Sequence, residues 1–450
     1  MKVRIGFEIH EQLATRTKLF CRSPADYRDA EPNTNVCEVC LGMPGAKPMG
    51  VNAEAVEGVI AIALMLNCEL VREPVYILRK HYDYPDLPSG YQRTSMPIGK
   101  NGELAGVGIW EVHLEEDPGK YDPVTGRVDY NRSGVPLVEI VTAPDITSPE
   151  EARNFMRELV KVLHYSGRVR REGGTMRVDV NVSIEDGARV EIKNINSIKG
   201  LYRALKFEIT RQKNLRRRGK AVKRETRAYI EEQMITKSMR TKETAEDYRY
   251  IPDPDLPPLR ITEELVERVR SELPEAPHQK LQRFMQQYRI SRDDAWAITS
   301  EPEMADAFEQ VCGQVEPGRA AAFFRHIIKK TLNYHGMSFA ESGLTVRDIL
   351  AVLGAISSGR LSQQAAELVL REVVERGAEA EELIQRLSKL DEQSLASAVE
   401  QAIRENPGAV QDYRSGRREA INYLVGQVMR ITRGRADAEK ALEMLQERLS

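Results

Sequence analysis

The 450-residue chain reads as an α+β protein, a large mixed-sheet domain followed by an all-α helical region. Three observations carry this. Up to about residue 260, short β-branched runs alternate with clusters of Gly, Pro, Asn and Asp. A proline-rich break, YIPDPDLPPL, then interrupts the chain. From about Ser291 onward only helical patterns remain, broken at Gly and Pro. The expected division is 1–292 and 293–450.

The elements follow in order. Val3, Ile5, Phe7 and Ile9 alternate with Arg4, Glu8 and His10, a period of two that marks a strand. Glu8 and His10 then point the same way. PVYIL, GVGIWEVHL, PLVEIV, MRVDVNVSI and ARVEIK are the further strands. Helices are expected over Ala53–Leu66, Pro149–Tyr165 and Leu201–Leu215, the second with Ser148 as N-cap and acids in its first turn. After the break, ITEELVERVRSEL is a helix capped by Thr262. The remaining helices, from DDAWAIT to ADAEKALEMLQERL, are expected to form two bundles.

Composition excludes several classes. Acids and bases nearly cancel, at a net charge of −2, so contact with a polyanion must come from local patches. No apolar run is long enough to cross a membrane, and MKVRIGFEIH lacks the apolar core of a signal peptide. Five cysteines in so long a chain fit a reduced, cytoplasmic setting rather than a disulfide framework.

Acids in apolar surroundings are the chemical signal. GVPLVEIVT places Glu139 in a strand that is otherwise apolar on both faces. A carboxylate there must be paired, neutralised or bound to a metal. Arg132 is the nearby candidate for an ion pair. Trp110, Val112 and Leu114 share a face on which Glu116 follows, at the edge of the Asp117-Pro118-Gly119 turn. Glu8, His10, Glu116 and Glu139 thus offer ligands at strand ends that suit Mg²⁺, while the imidazole leaves Mn²⁺ or Zn²⁺ open. Ordinary solvated or ion-paired acids explain the same pattern, and the residues alone leave both open.

The stretches GFEIHEQL, PNTNVCEVCLGMPGA, HYDYPDLPSGYQ, HLEEDPGK, VDYNRSGVPLVEIVTAPDI, MRVDVNVSI, EIKNINS, MRTKETAEDYRYIPDPDLPP and NYLVGQVMRITRGRA resemble, in order and nearly end to end, the B-subunit (GatB/GatE) family of tRNA-dependent amidotransferases. The resemblance implies a "cradle" domain and a helical region ending in a YqeY-like, tRNA-binding tail. It implies a glutamine-hydrolysing, ATP-dependent carbon–nitrogen ligase that works with an amidase subunit and a small subunit. The side-chain carboxylate of misacylated Glu-tRNA(Gln) or Asp-tRNA(Asn) is phosphorylated with ATP, then amidated by glutamine-derived ammonia. By the resemblance Glu8, Glu116 and Glu139 are catalytic and, with His10, hold Mg²⁺. Arg177, Asp179, Lys193, Asn194 and Asn196 line the same pocket and bind the cofactor. Arg417, Arg418, Arg430 and Arg433 contact tRNA. A non-catalytic tRNA-binding scaffold is the alternative, and the intact acids speak against it.

The cysteines form a separate question. Some family members complete a four-cysteine zinc site where this chain has Cys21, Cys37 and Cys40, with Ser23 at the fourth position. Structural Zn²⁺ takes four ligands, so free thiols are the expectation over Zn²⁺.

Overall fold

The computed structural model describes residues 1–450 except 83, 186, 242–248, 388–391, 433–435 and 450. The chain divides into two compact units, Met1–Ala276 and Pro277–Ser450.

The first unit is built on a twelve-stranded sheet. In chain order its strands, with one separate hairpin, are β1 (Val3–Gln12), β2 (Glu69–Leu70), β3 (Ile77–His81), β4 (Tyr91–Ser95), β5 (Gly99–Leu104), β6 (Val107–Glu116), β7 (Lys120–Tyr121), β8 (Val128–Asp129), β9 (Pro136–Thr142), β10 (Met176–Ile184), β11 (Val190–Ile195), β12 (Glu225–Ile230), β13 (Ile235–Thr241) and β14 (Tyr250–Pro252). The main path runs β13-β12-β11-β10-β1-β9-β6-β4-β3-β14, with β2 and β5 joined through β6, and β7–β8 forming the separate hairpin. Only the β11–β12 pair is parallel among the described pairs.

β1 lies in the middle because its odd positions are continuously apolar. Val3, Ile5, Phe7 and Ile9 are all buried. Four helices supply the matching layer: α1 (Ala53–Met65), α2 (Pro149–Ser166), α3 (Ile198–Arg217) and α4 (Glu263–Glu272). Phe7 stacks on Phe155 of α2 with ring centroids 5.8 Å apart. Each helix starts where a short polar side chain caps it. Asn52, Ser148, Ser197 and Thr262 accept hydrogen bonds from the backbone N–H groups of Ala55, Glu151, Gly200 and Leu265. α2 stops at Gly167, whose φ of 64° is a left-handed cap that glycine adopts without strain.

The even positions of β1 face away from this layer. Ten strands lie across the sheet from β13 to β14. Laid flat, their nine spacings would separate the edges by about 43 Å. Yet the chain passes from Thr241 at one edge to Tyr250 at the other, a stretch that spans at most about 32 Å. The sheet is therefore curled.

The second unit is helical throughout its described elements. It holds two separate apolar cores, one from Phe284 to Ile384 and one from Leu395 to Leu449. The helix Pro277–Gln287 belongs with it, because Phe284 is fully buried in the first of these cores and stacks near Phe308 at 5.3 Å. The compact units thus part at Ala276, where the sequence pattern placed the division at 292.

Candidate active site

The polar face of the sheet carries a cavity of about 400 Å³. The register builds it. Opposite residues in an antiparallel pair share a face. His10 of β1 lies opposite Glu139 of β9 on one side and Arg177 of β10 on the other. Glu8 lies opposite Asp179. Glu139 in turn lies opposite His113 of β6, and Glu115, two residues on, shares that face.

His10 is the hub. Its Nε2 is 3.3 Å from Glu115, 3.7 Å from Glu139 and 4.0 Å from Glu8. One ligand atom each from Glu8, His10 and Glu139 lies within 4.8 Å of the others, a spacing a single cation spans. Burial works to lower the His10 pKa, but the Glu115 hydrogen bond and the charges of Glu115, Glu139 and Glu8 outweigh it and raise it to about 9. Glu115, buried, is held down at about 2; burial opposes this, and the hydrogen bond and charge of His10, with Lys80, overcome it. Glu139 moves the other way, well above the usual carboxylate range, through burial and the neighbouring charges of Glu115 and Glu8. Three carboxylates around one imidazole leave an excess of negative charge. That donor set fits a divalent cation.

Glu116 is not part of this cluster. β6 alternates, so Glu116 follows Val112 and Leu114 onto the helix-covered side, where both of those residues are fully buried. Its carboxylate accepts a hydrogen bond from the Arg93 N–H at 2.9 Å and faces the Arg93 guanidinium at 3.5 Å. The apolar face that was expected to deliver Glu116 to the site instead carries it away. Glu115, hidden as the other member of an acid pair, takes the place. Nor does Glu139 pair with Arg132, whose guanidinium donates to the Pro118 and Gly119 carbonyls at 2.9 and 2.6 Å.

The other residues singled out in those motifs lie together around the cavity. Arg177, Asp179, Lys193, Asn194 and Asn196 line the cavity with Glu8 and His10. Lys193 pairs with Asp179 and lies 3.3 Å from Glu191. Arg177 pairs with Asp117, whose side chain is fully buried and also accepts from Gln12 Nε2 at 2.8 Å. Asn194 sits beside a register shift between β10 and β11, with a φ of 64°. Sequence reasoning missed Lys80 and Gln92, which also line the cavity, and Asp117. Lys80 comes from a short strand with no distinctive pattern, while Asp117 stood in a motif as a turn residue.

Cys21, Cys37 and Cys40 do gather, with their sulfurs within 4.8 Å of one another. A buried lysine joins them: Lys18 Nζ lies 3.4 Å from Cys40 Sγ. Ser23 Oγ is 3.7 Å from the same sulfur. The Cys21 hydrogen bond, the Cys37 amide and the Lys18 charge together hold the Cys40 thiol below its ordinary range, against burial.

In the helical unit, Arg417, Arg418 and Arg430 are exposed, and Arg417 lies 3.3 Å from Asp412. Arg433 lies outside the described residues. A further basic run, NLRRRGKAVKRETR at residues 214–227, is partly structural, because Arg227 is buried against Glu225 at 2.9 Å.

Sheet, cluster and helical unit together make a two-part protein, a sheet domain with a polar, acid-lined cavity and a helical unit. Residues 3–267 match the family described as the GatB/GatE catalytic domain, and residues 306–449 match the GatB domain that carries the YqeY-type region. The chain belongs to the GatB/GatE family. It is similar to proteins named as the B subunits of aspartyl/glutamyl-tRNA(Asn/Gln) amidotransferases. That of Methanothermobacter thermautotrophicus is 58% identical over 450 residues, 99% of this chain and all of the relative. Those of Methanopyrus kandleri and Methanocaldococcus jannaschii are 56% and 53% identical, covering 99% and 100% of this chain and 98% of each relative. No described helix is long and apolar enough to cross a membrane.

Proposed function

We propose that this chain is the activating and amidating subunit of an aspartyl/glutamyl-tRNA(Asn/Gln) amidotransferase, acting with an amidase subunit and a small subunit. The observation that carries the reading is the cluster of Glu8, Glu115 and Glu139 around His10 on the polar face of the sheet. A scaffold that only bound tRNA would gain nothing from three acids held together at that cost.

A carboxylate is a poor acyl donor because oxide is a poor leaving group. In the proposed reaction a side-chain carboxylate oxygen of Glu-tRNA(Gln) or Asp-tRNA(Asn) attacks the γ-phosphorus of ATP, and the bond to ADP breaks. Ammonia then attacks the acyl carbon, the bond to phosphate breaks, and a proton leaves the nitrogen. Phosphoryl transfer needs positioning and charge neutralisation more than it needs a protein nucleophile. Glu8, His10, Glu115 and Glu139 would hold Mg²⁺, which when bound supplies the neutralising charge for the phosphates. Lys193 and Arg177 stand where they can meet phosphate oxygens. Their own acid partners, Asp179 and Asp117, fix their ends. Asn194 and Asn196 offer amides to the substrate's polar groups.

The cysteine cluster is read as free thiols. The ammonium of Lys18 already sets a positive charge beside Cys40, and three sulfurs fall short of the usual four zinc ligands. The exposed arginines of the helical unit are read as phosphate contacts for the tRNA.

The test is reconstitution with the amidase and small subunits, ATP, Mg²⁺, glutamine and Glu-tRNA(Gln), repeated with Asp-tRNA(Asn). The expected result is amidated aminoacyl-tRNA from the native chain and none from a folded Glu139→Ala variant. Product from both would remove Glu139 from the activation step. Intact tRNA binding with no product from either tRNA would leave a scaffold.

A further inference from the structure

Cys21, Cys37 and Cys40 gather away from the polar cavity, and none of them lines it. The groups around Cys40 Sγ favour an anion there. The Cys37 backbone N–H donates to it at 3.1 Å, and Lys18 Nζ donates at 3.4 Å. Ser23 Oγ stands 3.7 Å away, and the Cys21 thiol also bonds to it. Lys18 is itself 1% exposed, and no carboxylate pairs with it among the described residues. Its other contact is the Tyr130 carbonyl, at 3.3 Å. A buried ammonium needs an anionic neighbour, and Cys40 is the group beside it that can become one. Cys37 Sγ lies 3.9 Å from Cys40 Sγ.

We propose that this cluster is a peroxide-reactive modification site, in which Cys40 is the thiolate that is oxidised and Cys37 closes a disulfide onto it. The inference rests on the free-thiol reading of the cluster and is independent of the amidotransferase one. The Cys40 thiolate attacks one oxygen of a hydroperoxide. The S–O bond forms, the O–O bond breaks, and the departing oxygen takes a proton from solvent, leaving a sulfenic acid. The Cys37 sulfur, having lost its proton, then attacks the Cys40 sulfur. The S–S bond forms, the S–O bond breaks, and the hydroxide leaves as water with that proton. Two thiols give up two electrons, and the O–O bond accepts them. A thiolate beside a lysine is the reactive form of a cysteine. Cys21 is the poorer partner, because its hydrogen bond to Cys40 and its burial hold its proton on. Cys37 is half-buried, and within residues 31–50 Cys40 alone is buried, so a small oxidant has little cover to cross. The remaining thiols differ: burial pushes Cys68 and Cys312 up to about 12. In a reduced setting, disulfides serve redox sensing more often than structure.

The test treats the reduced, full-length chain with hydrogen peroxide and follows each cysteine by mass spectrometry, after the metal content of the purified chain has been measured. The peptide spanning Cys37 and Cys40 should become lighter by two hydrogens. Its halves should stay joined after cleavage at Glu38, and a thiol reductant should reverse both changes. Cys37→Ser should stop at the sulfenic acid, trapped by dimedone on Cys40 at least about tenfold faster than on Cys68 or Cys312. Between about pH 6 and 8 the native rate at Cys40 should change by less than about threefold, where a thiol of ordinary pKa near 8.5 gains roughly 75-fold. That comparison uses no variant, so misfolding cannot produce it. Lys18→Met should slow the reaction at about pH 6 by at least about fivefold. Equal labelling of Cys40, Cys68 and Cys312 would overturn the site, as would the steep pH dependence of an ordinary thiol in the native chain, or a disulfide from Cys40 to Cys21. Stoichiometric zinc in the purified chain would defeat the free-thiol reading and the proposal with it. A metal-free chain whose cysteines ignore peroxide would defeat the proposal alone.

Discussion

Replacing Glu115 by Gln removes one charge from the centre of the cluster while keeping its shape. In the native chain His10 Nε2 lies 3.3 Å from Glu115, and the surrounding acids raise its pKa to about 9. A hydrogen bond to a charged group contributes about 1.5–3 kcal/mol, and one pKa unit corresponds to about 1.4 kcal/mol. Losing that bond should bring the His10 midpoint down by about 1–2 units, to roughly 7–8. It should not fall fully to the ordinary 6.5, because Glu139 remains 3.7 Å away. Glu116→Gln is the control. Its carboxylate is committed to Arg93 on the other side of the sheet, so the His10 midpoint should stay within about 0.3 unit. The assay is an NMR pH titration of the histidine ring carbons in metal-free protein. The chain has seven histidines, and His10→Gln identifies the signal. An unmoved midpoint in Glu115→Gln, or an equal shift in Glu116→Gln, would refute the assignment of Glu115 to the cluster.

The linkage has a sign. The folded chain keeps the His10 proton to about pH 9, whereas the unfolded chain releases it near 6.5. Stability from this group is therefore complete below pH 6.5 and is lost as pH rises to 9, by at most about 3 kcal/mol. Urea unfolding of metal-free protein at pH 6.5 and 9 should show the loss, and His10→Gln should shrink it; a loss that persists undiminished would refute the source. Glu116→Gln should cost about 1–3 kcal/mol of stability, because it weakens a buried contact with Arg93; a change below about 0.5 kcal/mol in the same assay would count against that anchor. Metal analysis of the purified chain should find far less than one Zn²⁺ per molecule, and stoichiometric zinc would overturn the free-thiol reading. Neutralising Arg417, Arg418 and Arg430 together should weaken tRNA binding and lower its salt dependence by about 1 for each phosphate no longer engaged, with ATP binding unchanged; an unaltered salt slope would remove these arginines from the interface.

Much of this arrangement was legible in local pattern. Met176–Ile184 is a strand at the limits its alternation set, and Ser148 and Thr262 cap the helices they were expected to cap. The pairing of Glu8 with His10 on one face followed from a period of two. Less visible was anything that depended on which face the helices would cover. Val112, Leu114 and Glu116 share a face, whereas Trp110, expected on it, stands at a register shift between Ile109 and Glu111 and is exposed; nor does the alternation say that this face turns from the site. Contacts across long separations were hidden for the same reason. Asp253, in the proline-rich break, has no exposed side chain and bridges Arg79 and Arg93 at 2.9 and 2.8 Å. Nothing near it in sequence marks a loop that closes on the sheet. The helix Pro277–Gln287 has a clear pattern, yet its place with the second unit depends on Phe284 finding Phe308.

The central strand does two jobs because its side chains alternate. Its odd positions anchor the sheet to the helical layer, and that rigidity holds Glu8 and His10 in place against their neighbours' charges. In the absence of a cation the cluster relieves its excess negative charge by holding protons: His10 stays charged to about pH 9, and Glu139 titrates well above its usual range. A divalent cation in the same place competes with both protons, since ligands must be deprotonated to bind. Its affinity should therefore rise with pH until His10 and Glu139 have both titrated, with up to two protons released for each ion taken up. On the proposed reading, the buried acids, costly as isolated charges, would form an exchangeable site in which protons and a cation substitute for one another, and the full negative charge of the cluster would exist only when a cation is there to meet it.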